Sequence, residues 1–322
     1  MTHTRGLQSR YSERLIYLQL SLVAMIWGGT FVAGRYMSVD TPALLSASVR
    51  FLLAGAVLGV FLLLSKQAFV RLSGAQVVKV LGLGFCGIYA YNLCFFYGLH
   101  IISASRASLI VALNPAVMAI GAYLMYREAI SLAKAFGIVL CLMGAAVVIF
   151  SKNHLAIAGD GADWRGDLLI FGCVLSWVAY SLFGKSVVKE IGALHTVTYS
   201  IWAGAAMLTV TAIAKGQFSL ELVRALPANE LLSLTYLGAI GSALAYIWFY
   251  NGIQVIGATR AGVFIALNPL TAVLLGWGLL DEHISVYTAA GGALVIGGIV
   301  MCNKAVSASG STWFRSGFFL RH

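Results

Sequence analysis

One arginine, Arg50, stands inside an otherwise apolar run covering residues 43–64. It falls about seven residues into that run, some 10 Å from the helix end at ~1.5 Å per residue. A charge at such depth costs at least ~2.5–3.5 kcal/mol on insertion scales, so its side chain must turn inward and find partners. The guanidinium could attract a carboxylate or another anionic group. Equally, it could snorkel outward or tie helix ends together through backbone carbonyls. Other runs carry polar tips on large side chains at similar depth: Trp27 and Thr30, Tyr89 and Asn92, Trp177 and Tyr180, and Tyr246. A cavity with this lining would hold a small amphipathic molecule by apolar faces and a few hydrogen bonds. Ordinary packing is the competing reading, and Tyr36 and Tyr97, near run ends, fit an interfacial aromatic belt.

The acids are informative by their placement. All eleven lie in loops or at run ends: Glu13, Asp40, Glu128, Asp160, Asp163, Asp167, Glu190, Glu221, Glu230, Asp281 and Glu282. Without an anion at depth, a cationic solute has little to offset its desolvation. The expected substrate is therefore neutral, zwitterionic or anionic, moved without proton exchange. Neither a metal nor a cofactor is expected. Cys86, Cys94, Cys141, Cys173 and Cys302 are dispersed in apolar runs with no CxxC pair, which reads as packing thiols. An integral-membrane enzyme would need a constellation, but no run holds HExxH, GxSG or GxGD, and the six histidines sit at ends and in loops.

The elements that must position these residues follow from composition. The chain has 322 residues, 60% hydrophobic and only 10% charged, against roughly 25% charged in soluble domains. Too few charges remain to cover a soluble surface of this size. Ten apolar runs have the ~20-residue length of a bilayer span: 15–36, 43–64, 76–99, 104–126, 132–151, 167–188, 195–214, 230–254, 258–280 and 285–303. They lack the alternation of membrane β-strands, so an all-α membrane protein is predicted. The net charge of +10 reads as loop charge that orients the chain rather than as a nucleic-acid footprint. Fourteen Lys and Arg fall on the side of the N-terminus, six on the other, with Arg50 left over. Both termini are thus expected in the cytoplasm, in the inner (plasma) membrane. Residues 1–14 read as a retained tail rather than a signal peptide, 304–322 as a weakly ordered cytoplasmic tail, and 152–166 as the one plausible linker.

An internal repeat sets the geometry. Displacing the chain by 154 lays residues 95–131 on 249–285 with thirteen identities, including Arg106 on Arg260, Asn114-Pro115 on Asn268-Pro269 and Glu128 on Glu282. Displacement by 150 lays Trp27 on Trp177, Gly34 on Gly184 and Arg35 on Lys185. The halves, 15–151 and 167–303, hold five spans each. Because five is odd, the second copy inserts upside down, the inverted arrangement of secondary transporters with a site near the midplane. Asn114, Pro115, Asn268 and Pro269 fall inside spans 4 and 9, where proline makes either a hinge or a static kink. Glycine-rich stretches permit close helix contact or a dimer interface; oligomeric state stays open. Glu128 and Glu282 are expected to cap helices 5 and 10.

Trp27-Gly28-Gly29-Thr30-Phe31, then Pro42 and Ser48-Val49-Arg50-Phe51, resemble the opening of EamA-type members of the drug/metabolite transporter superfamily. So does the block Leu113-Asn114-Pro115…Glu128-Ala129-Ile130-Ser131…Gly137…Gly144, with its copy Leu267-Asn268-Pro269…Glu282-His283-Ile284-Ser285…Gly291…Gly298. The resemblance covers residues 15–303. It departs at Trp177-Val178-Ala179, where the first half has Trp27-Gly28-Gly29. It implies ten helices as two inverted five-helix repeats around a central cavity, moving small metabolites, often exporting amino acids. Carriers of lipids or nucleotide-sugar-like anions share that fold. The partners expected are a small-molecule substrate and the lipid bilayer.

Overall fold

The computed structural model describes residues 13–35, 41–64, 69–99, 101, 110–152, 164–268, 270–271, 274–275, 278 and 286–313. Among them the apolar runs are helical, as they must be where lipid offers the backbone no hydrogen-bond partner. In chain order they are α1 (Glu13–Arg35), α2 (Ala43–Leu64), α3 (74–99), α4 (Asn114–Tyr126) and α5 (Leu132–Lys152) in the first half. The second half has α6 (Trp164–Ile191), α7 (Ala193–Ala214), α8 (Ala228–Ile256), α9 (beginning Ala258–Val263) and α10 (Val286–Trp313). A five-residue helix, Leu220–Arg224, connects α7 to α8. Five of these, α2, α3, α6, α7 and α8, are long and apolar enough by themselves to cross a membrane. Much of the 152–166 linker, the outer parts of both tails, and Arg106, Pro269 and Glu282 lie outside the described residues.

Local sequence explains the joints. Ser73 opens α3 with a reciprocal cap, its hydroxyl accepting from Gln76 N–H while the Gln76 side chain accepts from Ser73 N–H. Single glycines join α6 to α7 and α8 to α9. Gly192 and Gly257 have φ of 82° and 87°, a region open to glycine at little cost. The first Asn-Pro motif, and Asn268 of the second, sit where helical winding changes. Residues 112–113 form a turn, and α4 starts at Asn114 with Pro115 in its first turn, where a missing N–H costs little. In the copy, α9 tightens to a 3-10 turn over Phe264–Leu267 just before Asn268.

Packing bears out the inverted repeat. α5 lies along α10, α2 along α7, the second part of α3 against α6 and the second part of α8 against α1. Exchanging the halves maps this set of pairs onto itself. A Cβ built on Gly137 would meet the Gly298 carbonyl at 2.8 Å, and one on Gly144 the Gly291 carbonyl at 2.5 Å. Ascending numbers in α5 thus meet descending numbers in α10. Since α5 and α10 are copies of each other and run antiparallel, the halves are upside down relative to one another. The largest core cluster draws on both halves, including Leu20, Phe51, Ile88, Val178, Ile201 and Phe249. Exposed apolar side chains such as Phe61, Leu64, Leu124, Val210 and Leu232 cover the outside. That distribution suits lipid as the solvent.

Candidate functional site

α3 and α8 each contain a wider-wound π segment, Phe85–Ala90 and Tyr236–Leu244. The 154-residue displacement superposes them, together with the glycine pairs Gly84/Gly87 and Gly238/Gly241. Such segments recur at functional sites because they re-aim side chains and loosen the ladder of backbone bonds. The glycines admit close neighbours. A Cβ on Gly84 would come within 2.7 Å of the Ser200 carbonyl of α7, and one on Gly238 within 2.7 Å of the Arg50 carbonyl of α2. Ser200 is therefore the counterpart of Arg50, and the two helices hold their π segments alike.

Aromatic side chains from both halves meet between these segments. Trp27 of α1 and Trp177 of α6 are edge to face at 5.2 Å between centroids. Phe249 of α8 lies 5.3 Å from Trp27 and 5.5 Å from Trp177. Tyr246 lies 5.3 Å from Trp177, and Tyr180 lies 5.8 Å from Tyr246. Tyr91 of α3 approaches Trp177 at 6.2 Å. Trp177 is only 6% exposed, whereas Trp27 is half-buried. Tyr180 hydrogen-bonds Ser200 Oγ at 3.1 Å, and Tyr250 donates to the Tyr180 carbonyl at 2.6 Å.

Arg50 borders this cluster. Its Nε donates to Ser242 Oγ of α8 at 2.9 Å, and Ser242 Oγ in turn donates to the Leu237 carbonyl at 3.0 Å. The guanidinium lies 5.0 Å from the Phe51 ring and is near enough to act electrostatically on Tyr91 and Tyr246. Only Nε is taken up among the described residues, so the planar end with two N–H₂ groups remains, the geometry that engages a carboxylate bidentately. Where Arg50 faces Ser242, the other half has Ser200 and Ile88. Arg50 thus breaks the twofold symmetry at this position of the interior.

The residues singled out from sequence divide into two groups. Trp27, Arg50, Trp177, Tyr180 and Tyr246 converge. Thr30 stays local, its hydroxyl donating to the Trp27 carbonyl at 2.5 Å. Tyr89 faces α7, accepting from Thr211 Oγ1 at 3.1 Å, and Asn92 donates to the Ile88 carbonyl of its own helix at 2.6 Å. Asn114 Nδ2 donates to the Val111 carbonyl at 2.9 Å, while its Oδ1 and that of Asn268 are buried without a partner among the described residues. Sequence reasoning passed over Ser242 and Phe249, and it counts Tyr91 among the aromatic residues of 76–99 without placing it in the cavity. A signal for Ser242 existed: the repeat sets this serine opposite Ile88, a polar group where its copy is apolar. A separate groove of about 400 Å³ between α2 and α7 is lined by Leu52, Gly55, Gly59, Trp202 and other apolar groups. It opens on the lipid-facing surface and offers little to discriminate a polar solute.

One face of the bundle, at the start of α1, is tied by a polar cluster. Glu128 does not cap α5; Ser131 does, accepting from Lys134 N–H at 3.3 Å. Glu128 follows Arg127, whose left-handed φ of 53° turns the chain back. Its carboxylate accepts from Lys185 of α6 at 2.6 Å and from Thr259 of α9 at 3.1 Å. Burial pushes the carboxyl pKa up, but the bond and charge of Lys185 and the bonds from Thr259 outweigh it, leaving it below the ordinary carboxylate value. A group held low stabilises the fold above its unfolded pKa and loses that effect as pH falls through the folded value. Glu128→Gln is expected to cost roughly 1–3 kcal/mol at neutral pH by leaving Lys185 without its anion. The difference in melting temperature between wild type and variant should begin to shrink as the pH falls below the ordinary Glu value of ~4.3 and be lost once it passes the lowered folded value; a pH-independent gap would refute the assignment.

Inverted halves packed helix against matching helix, with Arg50 beside an aromatic wall drawn from both, fit a membrane transporter. The chain belongs to the EamA-like transporter family, whose profile matches residues 14–150 and again 164–304. It is 28% identical over 297 residues to the uncharacterized transporter YyaM of Bacillus subtilis (strain 168), covering 90% of this chain and 94% of that one. It is 27% identical to an uncharacterized transporter of Archaeoglobus fulgidus, covering 88% of this chain and 96% of that one. It is also 27% identical to the S-adenosylmethionine/S-adenosylhomocysteine transporter of Chlamydia muridarum, covering 84% of this chain and 86% of that one. A solved crystal structure shares the fold at a TM-score of 0.76 and 20% identity, covering 91% of this chain and 99% of that one.

Proposed function

We propose that this transporter carries small neutral or zwitterionic metabolites, amino acids foremost, out of the cytoplasm by alternating access and without proton coupling. The observation that supports this most is Arg50: held through Nε by Ser242, it keeps its planar end for one carboxylate beside an aromatic wall. Trp27, Trp177, Tyr180 and Tyr246 would take the apolar part of the solute. Read from the sequence, the acids fall in polar breaks or at the ends of apolar runs, which leaves no carboxylate at depth to carry a proton. S-adenosylhomocysteine, one of the two solutes named for the Chlamydia relative, is a zwitterion ending in an α-amino-acid group, the chemistry that Arg50 would engage. Lys and Arg placement supports both termini in the cytoplasm, which makes the face tied by Glu128 the cytoplasmic one.

Liposomes containing the purified protein test the reading. Labelled amino acids are expected to exchange down an imposed gradient, unaffected by a proton ionophore, while their methyl esters compete weakly. Equal competition by ester and free acid would sink the carboxylate assignment. Stimulation by a pH gradient would sink the uncoupled mechanism.

A further inference from the structure

The two halves are copies, so a contact that is the same in both belongs to the frame, and one that differs between identical residues points to the conformation. The Gly84–Ser200 and Gly238–Arg50 approaches are alike, each with a Cβ-to-carbonyl distance of 2.7 Å. The tryptophans differ. Trp27 Nε1 donates to the Gly241 carbonyl in the π segment of α8 at 2.9 Å. Trp177, its counterpart, has Nε1 buried without a partner among the described residues. The carbonyl corresponding to Gly241 is that of Gly87, in the π segment of α3. Here the ring of Tyr180 crowds Gly87, coming within 2.3 Å of a Cβ built there. At Gly241 the matching neighbour is Thr30, the counterpart of Tyr180, at 3.2 Å.

We infer that Trp27 and Trp177 are alternating donors: Trp27 holds Gly241 in this conformation, and Trp177 holds Gly87 in the oppositely facing one. This rests on the alternating-access reading. An inverted repeat reaches its second conformation when each half adopts the arrangement of the other. The bond count is then unchanged, and the orphaned buried N–H passes from Trp177 to Trp27. A buried donor without an acceptor is costly, so the exchange gives the halves two discrete settings and disfavours the intermediate one. The polar tie of Glu128 to Lys185 and Thr259 joins α6 and α9 at the face where α1 starts, and on this inference that face opens when Trp27 releases Gly241.

Hydrogen exchange on the full chain in lipid nanodiscs, without substrate, reads the balance. Trp27→Phe removes the donor of this conformation, so exchange in residues 127–131, beside the tied face, is expected to rise roughly five-fold, the worth of one hydrogen bond. Exchange in residues 215–227, on the opposite face, should fall. Trp177→Phe removes no bond present here, and its effects should have the reverse sign at both places. Since Trp177→Phe leaves this conformation intact, it tests the inference even if Trp27→Phe does not fold. Shifts of the same sign in both variants, or none with Trp177→Phe, overturn the exchange of donors. Opposite shifts in a protein that moves no solute would keep the switch and discard the cargo assignment. Carboxylate flux with same-sign shifts would do the converse.

Discussion

Replacing Arg50 with glutamine is expected to raise the half-saturation concentration for carboxylate-bearing solutes roughly 10–100-fold, the equivalent of a charged hydrogen bond of ~1.5–3 kcal/mol. Stability should hold or rise. Arg50 makes one hydrogen bond among the described residues, to a serine that also bonds the Leu237 carbonyl. Its loss leaves no buried group stranded, and it removes a charge that the interior desolvates. Lysine at this position keeps the charge but has neither the Nε–H that meets Ser242 nor the planar pair of N–H₂ groups. Arg50→Lys should therefore fall between glutamine and wild type. Flux against concentration in liposomes, alongside thermal unfolding in detergent, separates this role from a structural one. A glutamine variant that unfolds early, with unchanged affinity in the surviving fraction, would make Arg50 a tie between α2 and α8 only.

The second large effect is at the twofold axis between α5 and α10. Gly144→Ala would place a methyl group 2.5 Å from the Gly291 carbonyl, and Gly298→Ala one 2.5 Å from the Gly137 carbonyl. In both cases the obstacle is backbone, which has no rotamer to yield, so the helices must separate by about an ångström, well past the optimum of their dispersion contacts. Each variant is expected to lose about 1–3 kcal/mol, the range for overpacking. The two losses should be nearly equal, because the repeat makes the sites equivalent. Neither residue touches Arg50 or the aromatic cluster, so solute affinity should be unchanged in the folded fraction. Equal losses of stability at constant affinity in detergent melts and flux assays would bear this out. A marked inequality would mean that the symmetry between α5 and α10 is not obeyed in solution.

Much of the architecture could be read before any coordinates. Runs such as 43–64 and 132–151 had no alternative to a helix in lipid, and the helices Ala43–Leu64 and Leu132–Lys152 match them within a residue. The paired Asn-Pro and Glu motifs exposed the repeat, and its odd span count forced the inversion. What misled was local reasoning about polar side chains. Glu128 stands three residues before Ser131 and reads as a helix cap, yet a left-handed Arg127 turns it toward Lys185, 57 residues onward. Asn92 and Tyr89 lie at a depth that would suit a cavity, but the winding of α3 directs one to its own backbone and the other to α7. Winding of that kind depends on backbone bonds several residues apart and leaves little trace in hydrophobic periodicity.

Sequence alone determined the solvent, the number of spans, the inverted halves and the placing of Arg50 inside span 2. These follow from transfer energies and chain parity, which are properties of residues and their order. Tertiary structure decided which neighbours each polar atom found. It paired Arg50 with Ser242 across 192 positions and satisfied the indole of Trp27 while leaving its copy Trp177 without a partner among the described residues. Two halves of similar sequence can settle such bonds differently because a hydrogen bond is set within tenths of an ångström. The repeat fixes positions only to the nearest helical turn.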